Sequence, residues 1–141
     1  MLGVMEPVRR SAVLVVDDNA LELLGMQQAL EKAGFEAIPF QIKSFGEAFK
    51  LSELVLDREP TVILMDVDIG LSSYDGVRLA KTIARLREPG EKTPLIVLHS
   101  SLSAAELLAH QRNSGADTFL EKGDLQSLPG RIRRILVRLG I

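Results

Sequence analysis

The chain has 141 residues, a formal net charge of −2 and no cysteine. That length fits one domain able to bury most of the surface its unfolded chain exposes, and the missing cysteines exclude disulfides and thiolate-bound metals. The charge argues against non-specific nucleic-acid binding, and no apolar stretch approaches the roughly 20 residues that span a bilayer.

Residues 1–10 carry Glu6, Pro7, Arg9 and Arg10 with little apolar run, so they are expected to form a short mobile leader and not a secretory signal. From Ser11 onward, strand and helix alternate five times. Val13-Leu14-Val15-Val16 marks a strand over 12–17. Leu23, Met26, Leu30 and Ala33 recur at helical spacing, which predicts a helix over 20–32 stopped by Gly34. A weak strand over 36–40 contains Pro39, which a short edge strand tolerates. Ser44 and Glu47 form a capping-box pattern that opens a second helix with Ala48, Leu51 and Val55 inward.

Pro60 precedes a strand over 61–66 that ends in Asp66, and Asp75 is placed to cap a helix over 76–88, ended by Pro89-Gly90. A strand over 95–100 follows, then a helix opened by a second capping box, Ser103 and Glu106, and closed by Gly115. The last pair is a strand over 117–121 and a helix whose stripe is Leu128, Ile132, Ile135, Leu136 and Leu139. Short apolar runs bounded by polar residues and separated by helices predict a parallel sheet covered on both faces.

In such sheets ligands bind beyond the carboxyl ends of the strands. Asp17-Asp18, Asp66, Ser100 and Lys122 all stand there. Three carboxylates, a hydroxyl and an ammonium on one edge suit a hard divalent cation and a phosphoryl group. Taken singly, each has an ordinary explanation: a capping acidic pair, a strand-end carboxylate in a turn, a surface lysine. Taken together they require five coincidences in order.

Several segments carry a family resemblance over nearly the whole chain. They are Val16-Asp17-Asp18-Asn19, Leu64-Met65-Asp66, Asp75-Gly76, Thr93-Pro94 before a strand, and Gly115-Ala116-Asp117-Thr118-Phe119-Leu120-Glu121-Lys122. In this order the chain resembles the receiver domain of two-component response regulators. The resemblance implies a flavodoxin-like (CheY-like) doubly wound α/β fold over 11–141: five parallel strands in the order 2-1-3-4-5, flanked by five helices, as a single receiver domain with no output domain. It implies that Asp66 accepts a phosphoryl group from a sensor histidine kinase or phosphotransfer protein. The chain would then be a signalling phosphoacceptor that supports its own phosphotransfer and slow autodephosphorylation, and otherwise no enzyme.

The implied cation is Mg²⁺ or Mn²⁺, held by Asp17, Asp18, Asp66 and the backbone carbonyl of Asp68, with Asp18 favoured as the direct ligand of the pair. Lys122 is the implied cation for phosphoryl oxygens, Ser100 the switch hydroxyl and Phe119 the switch aromatic. Counting back from Lys122 and Gly115 selects Ser100 for the hydroxyl position, and a one-residue slip puts His99 there. The expected output is contact with a downstream protein, or with a second copy, through the face of the fourth helix, fifth strand and fifth helix. That last helix carries Arg131, Arg133, Arg134 and Arg138. No direct DNA binding and no membrane insertion are expected, and the expected compartment is the cytoplasm.

Two departures from the family stand out. After Asp66 the chain reads Val67-Asp68-Ile69-Gly70-Leu71-Ser72-Ser73-Tyr74, longer than usual and without a proline, and Lys122 is followed by Gly123 where many members have proline. The rebuilt loop keeps open an alternative, a phosphorylation-independent pseudo-receiver acting as a protein-binding module. Asp66-Val67-Asp68 also echoes the haloacid dehalogenase phosphatases, but Gly70 stands where that family wants Thr or Val.

Overall fold

The structure is a computed structural model and describes residues 11–69 and 75–141. The leader expected over 1–10, and Tyr74 with most of the long loop after Asp66, lie outside the described residues.

Five strands form one parallel sheet: β1 (Ala12–Asp17), β2 (Glu36–Gln41), β3 (Val62–Asp66), β4 (Leu95–Ser100) and β5 (Thr118–Glu121). Their order is β2-β1-β3-β4-β5, as the resemblance implied. The helices are α1 (Ala20–Lys32), α2 (Ala48–Arg58), α3 (Asp75–Ala84), α4 (Ala104–Ser114) and α5 (Leu128–Arg138), with 3₁₀ turns over Phe45–Glu47 and Leu125–Ser127.

Strand residues alternate between two cores. Leu14, Val16, Ile63, Met65, Ile96 and Leu98 meet Leu51 and Val55 of α2, Leu79 and Ile83 of α3, and Leu107 of α4. Val13, Val15, Val62, Leu64, Leu95 and Val97 meet Leu23, Met26 and Leu30 of α1 and Leu128, Ile132, Ile135 and Leu136 of α5. Burying one such side chain is worth about 1.5–3 kcal/mol, so the register that puts all of them inward is strongly selected.

Most expected boundaries hold, and two differ for visible reasons. The second helix begins at Ala48, not Ser44. Glu47 accepts hydrogen bonds from the Lys43 and Ser44 amides at 2.9 and 3.0 Å, and the chain turns through a 3₁₀ segment first. The third helix ends at Ala84, not 88. Arg87 is drawn to Asp117, donating to its carboxylate at 2.8 Å, and to the Pro94 carbonyl at 3.3 Å. Asp117 in turn accepts from the Ile96 amide at 2.8 Å, which locks that end of the sheet.

Candidate phosphoacceptor site

Strand order and register bring Asp17, Asp66 and Lys122 together. Val16 pairs with Met65, so Asp17 and Asp66 emerge side by side where β1 and β3 end. The Ser100 carbonyl accepts from the Lys122 amide at 2.7 Å, which delivers Lys122 to the same edge. Gly76 closes the other side. A Cβ there would overlap the Asp66 carbonyl oxygen and stand 2.9 Å from Val67 Cα. The start of α3 therefore lies directly on the Asp66–Val67 backbone, a physical reason for the glycine of Asp75-Gly76.

Asp17 is fully buried. Its Oδ1 accepts from the Asn19 amide at 2.9 Å, while Oδ2 has no hydrogen-bond partner among the described residues. Asn19 caps α1, its Oδ1 accepting from the Leu21 and Glu22 amides at 3.0 and 3.1 Å. That cap holds the first turn of α1 over the site and brings in Glu22, which sequence reasoning missed. Oxygens of Asp17, Glu22 and Asp66 lie within 4.8 Å of one another. Among these carboxylates sits the Lys122 ammonium, 2.8 Å from Glu22 Oε2, 3.5 Å from Asp66 Oδ1 and 3.6 Å from Asp17 Oδ2.

The electrostatics follow from burial. Asp66 is pushed up to about 6, chiefly by desolvation, against the pull of Lys122 and the hydrogen bond from the Asp68 amide. Desolvation also pushes Asp17 up to about 7, reinforced by the Asp66 charge and opposed by the Asn19 amide. Burial alone would lower Lys122, but Glu22, Asp66 and Asp17 outweigh it and hold its pKa above the ordinary value. Glu22 is lowered, mainly by its hydrogen bond with Lys122.

The other candidates fall as follows. Asp18 is half-buried outside the three-carboxylate cluster, its carbonyl accepting from Gln41 Nε2 at 3.2 Å; its charge still acts on Asp66. Ser100 is buried and its Oγ accepts from the Leu102 amide at 3.2 Å, which leaves the hydroxyl proton to donate elsewhere. His99 pairs with Asp66 in the β3–β4 register. Phe119 is half-buried on β5, packed against the core that includes Leu107 of α4. Gly123 does not take up the left-handed region that glycine permits. Of the four arginines of α5, Arg133 turns away to α1, donating to the Ala33 carbonyl and covering the Phe35 ring 5.0 Å from its centre. Arg131, Arg134 and Arg138 line a groove with Thr118, Phe119 and Leu120 of β5.

The family profile described as the response regulator receiver domain matches residues 13–133. The chain belongs to the response regulator receiver family. Among curated relatives, this receiver domain is 35% identical over 102 residues to protein-glutamate methylesterase/protein-glutamine glutaminase 4 of Anaeromyxobacter dehalogenans, matching 72% of this chain and 26% of that protein. It is 27% identical over 133 residues to response regulator MprA of Mycobacterium sp. strain KMS, matching 94% of this chain and 52% of the relative. The chain thus spans between about a quarter and about half the length of these relatives.

Solved structures agree on the fold. A CheY-like receiver domain protein from Methanospirillum hungatei superposes with a TM-score of 0.73 at 22% identity, covering 94% of this chain and 98% of the other. Chemotaxis protein CheY4 of Vibrio cholerae gives 0.75 at 19% identity, covering 91% and 100%. No helix among the described residues is long and apolar enough to cross a membrane.

Proposed function

We propose that this receiver domain accepts a phosphoryl group on Asp66 from a phosphohistidine of a sensor kinase or phosphotransfer protein in the cytoplasm. The observation that carries the reading is the Asp66 carboxylate, 4% exposed at the end of β3, with the Lys122 ammonium 3.5 Å away. An Asp66 oxygen forms the new bond to phosphorus while the bond to the donor nitrogen breaks, and the released electron pair stays on the donor imidazole. Such transfers need positioning and charge stabilisation more than covalent help from the protein. Lys122 supplies a point charge for the phosphoryl oxygens, and the Ser100 hydroxyl supplies a donor.

Asp18 and Asp66, with Asp17 and the Asp68 backbone carbonyl, would hold Mg²⁺ or Mn²⁺. An all-oxygen donor set suits these ions, and the buried Asp17 Oδ2 accepts no hydrogen bond among the described residues, with the Lys122 ammonium no nearer than 3.6 Å. When bound, the cation neutralises charge on the phosphoryl oxygens. Output would pass through Ser100 and Phe119 to the face of α4, β5 and α5, where the Arg131–Arg134–Arg138 groove fits an acidic protein segment.

The test is intact-mass analysis after acetyl phosphate and Mg²⁺. Wild type gains one phosphoryl group and Asp66→Asn gains none. Equal labelling of the two proteins sinks the assignment, and an unlabelled wild type, with kinases as well as small donors, favours a phosphorylation-independent binding module.

A further inference from the structure

The closest partner of Lys122 is not the candidate acceptor. Among the described residues its ammonium makes one hydrogen bond, 2.8 Å long, and that bond goes to Glu22 Oε2. Asp66 and Asp17 wait 3.5 and 3.6 Å away, beyond a good charge-assisted hydrogen bond. Glu22 is not there by accident of a wandering side chain. Its amide is fixed by the Asn19 cap, and Asn19 is itself fixed by Asp17. The first turn of α1 therefore holds a third carboxylate over the ammonium. Lys122 is also confined from below, because its amide is bonded to the Ser100 carbonyl.

We propose that Glu22 is a positioning residue that restrains Lys122, so that phosphorylation of Asp66 requires the ammonium to exchange Glu22 for the phosphoryl oxygens. The inference rests on the reading of Asp66 as the phosphoacceptor. Two facts give it direction. A restrained ammonium must loosen a bond before it can follow charge developing on a phosphoryl group at Asp66. Only interactions stronger in the transition state than in the ground state accelerate transfer, and the Glu22 bond is already made in the ground state. Glu22 therefore sets a lower phosphorylation rate than the same site would have with a neutral residue there. The half-exposed Glu22 side chain, 47% accessible, bounds the effect to that of a partly screened ion pair, a factor of about 2 to 5 in rate.

The experiment measures the rate of Asp66 labelling by acetyl phosphate with Mg²⁺ against donor concentration. Wild type, Glu22→Gln and Glu22→Asp are compared, each also in a Lys122→Ala background. Glu22→Gln is expected to raise the limiting rate about 2- to 5-fold with little change in the half-saturating donor concentration. Glu22→Asp is expected to return most of the way to wild type. The gain is expected to vanish with Lys122→Ala, because the restraint acts only through that ammonium. An unchanged or slower Glu22→Gln overturns the proposal. So does an equal gain without Lys122, which would mean simple repulsion of an anionic donor. Wild type that is labelled but insensitive to Glu22 removes only this inference. Wild type that takes no label removes the Asp66 reading and this inference with it.

Discussion

Asp66 and His99 are register partners across β3 and β4, so the candidate phosphoacceptor and a buried imidazole share one face of the sheet. The imidazole is pushed down to about 4, first by burial and then by the nearby Lys122 and Arg131 charges. His99 is therefore neutral where the cell works and does not compete with Lys122 for the Asp66 charge. It faces a cavity of about 230 Å³ bounded by Met26, Leu125, Leu128 and Arg131.

This pairing makes the pH dependence of stability a two-sided test. Asp66 and Asp17 start from 3.8 and are held near 6 and 7 in the folded chain. Between those values the folded state keeps protons that the unfolded state has released, so stability falls as pH rises through the window. His99 opposes this. The unfolded chain binds its proton below 6.5 while the folded chain refuses it down to about 4, so this part of the stability falls as pH falls. Two carboxyls outweigh one imidazole. In protein freed of divalent ions, the melting temperature is expected to drop from pH 5 to pH 7. Asp17→Asn should flatten that drop, and His99→Leu should steepen it. Calorimetry across that range checks the signs, and a wild-type melting temperature that climbs instead contradicts the assignment.

Gly76→Ala is expected to cost about 1–3 kcal/mol, the usual range for forcing atoms into a filled site. The added methyl has only backbone to displace, that of Asp66 and Val67. Urea unfolding gives the stability, and labelling with acetyl phosphate should slow in the same variant because the acceptor itself is moved. A neutral result in both would mean that α3 withdraws from Asp66 at no cost.

Asp18→Asn should weaken Mg²⁺ or Mn²⁺ binding by removing a charged oxygen ligand. Glu22→Gln should weaken it less, because Lys122 already occupies that carboxylate. Titration of each variant, with and without beryllofluoride, distinguishes them. Unchanged affinity in Asp18→Asn would reduce that residue to a structural role.

The strand ends were legible because each apolar run stops at a polar residue; alternation with helices gave a parallel sheet, and the strand order came from the family resemblance. Glu22 was not. In sequence it reads as an ordinary acid in the first turn of a helix, favourable to the helix dipole in its own right, and its partner Lys122 lies a hundred residues away. The signal that was available is its place one turn after Asp18, on a helix that starts at the same sheet edge. The early end of α3 was equally hidden, because nothing local announces that Arg87 leaves the helix for Asp117. The sequence of α5 offers four arginines for one output face, but Arg133 packs on the far end of α1, donating to the Ala33 carbonyl and covering the Phe35 ring just beyond that helix.

Hydrogen exchange with and without beryllofluoride tests the route from Ser100 and Phe119. Protection is expected to change along α4 and β5 and in the Arg131–Arg138 stretch of α5, whereas β1 and β2 stay as they were. A bound group shifts a conformational equilibrium only through unequal affinity for its two states, so changes confined to the segment after Asp66 would rule out signalling through this face.

Asp17 divides its carboxylate between two tasks. One oxygen anchors the turn into α1 through the Asn19 amide, and the other stands uncommitted among charged neighbours. Substitutions at this position therefore separate architecture from electrostatics. Asparagine retains an oxygen for the anchor and sets an amide donor in place of the free oxygen, so α1 stays seated while the local charge changes. Alanine removes the anchor as well, and with it the hold on Asn19 that keeps Glu22 above Lys122. A phenotype shared by both variants reports the lost charge, and one confined to alanine reports a helix that has come off its mooring.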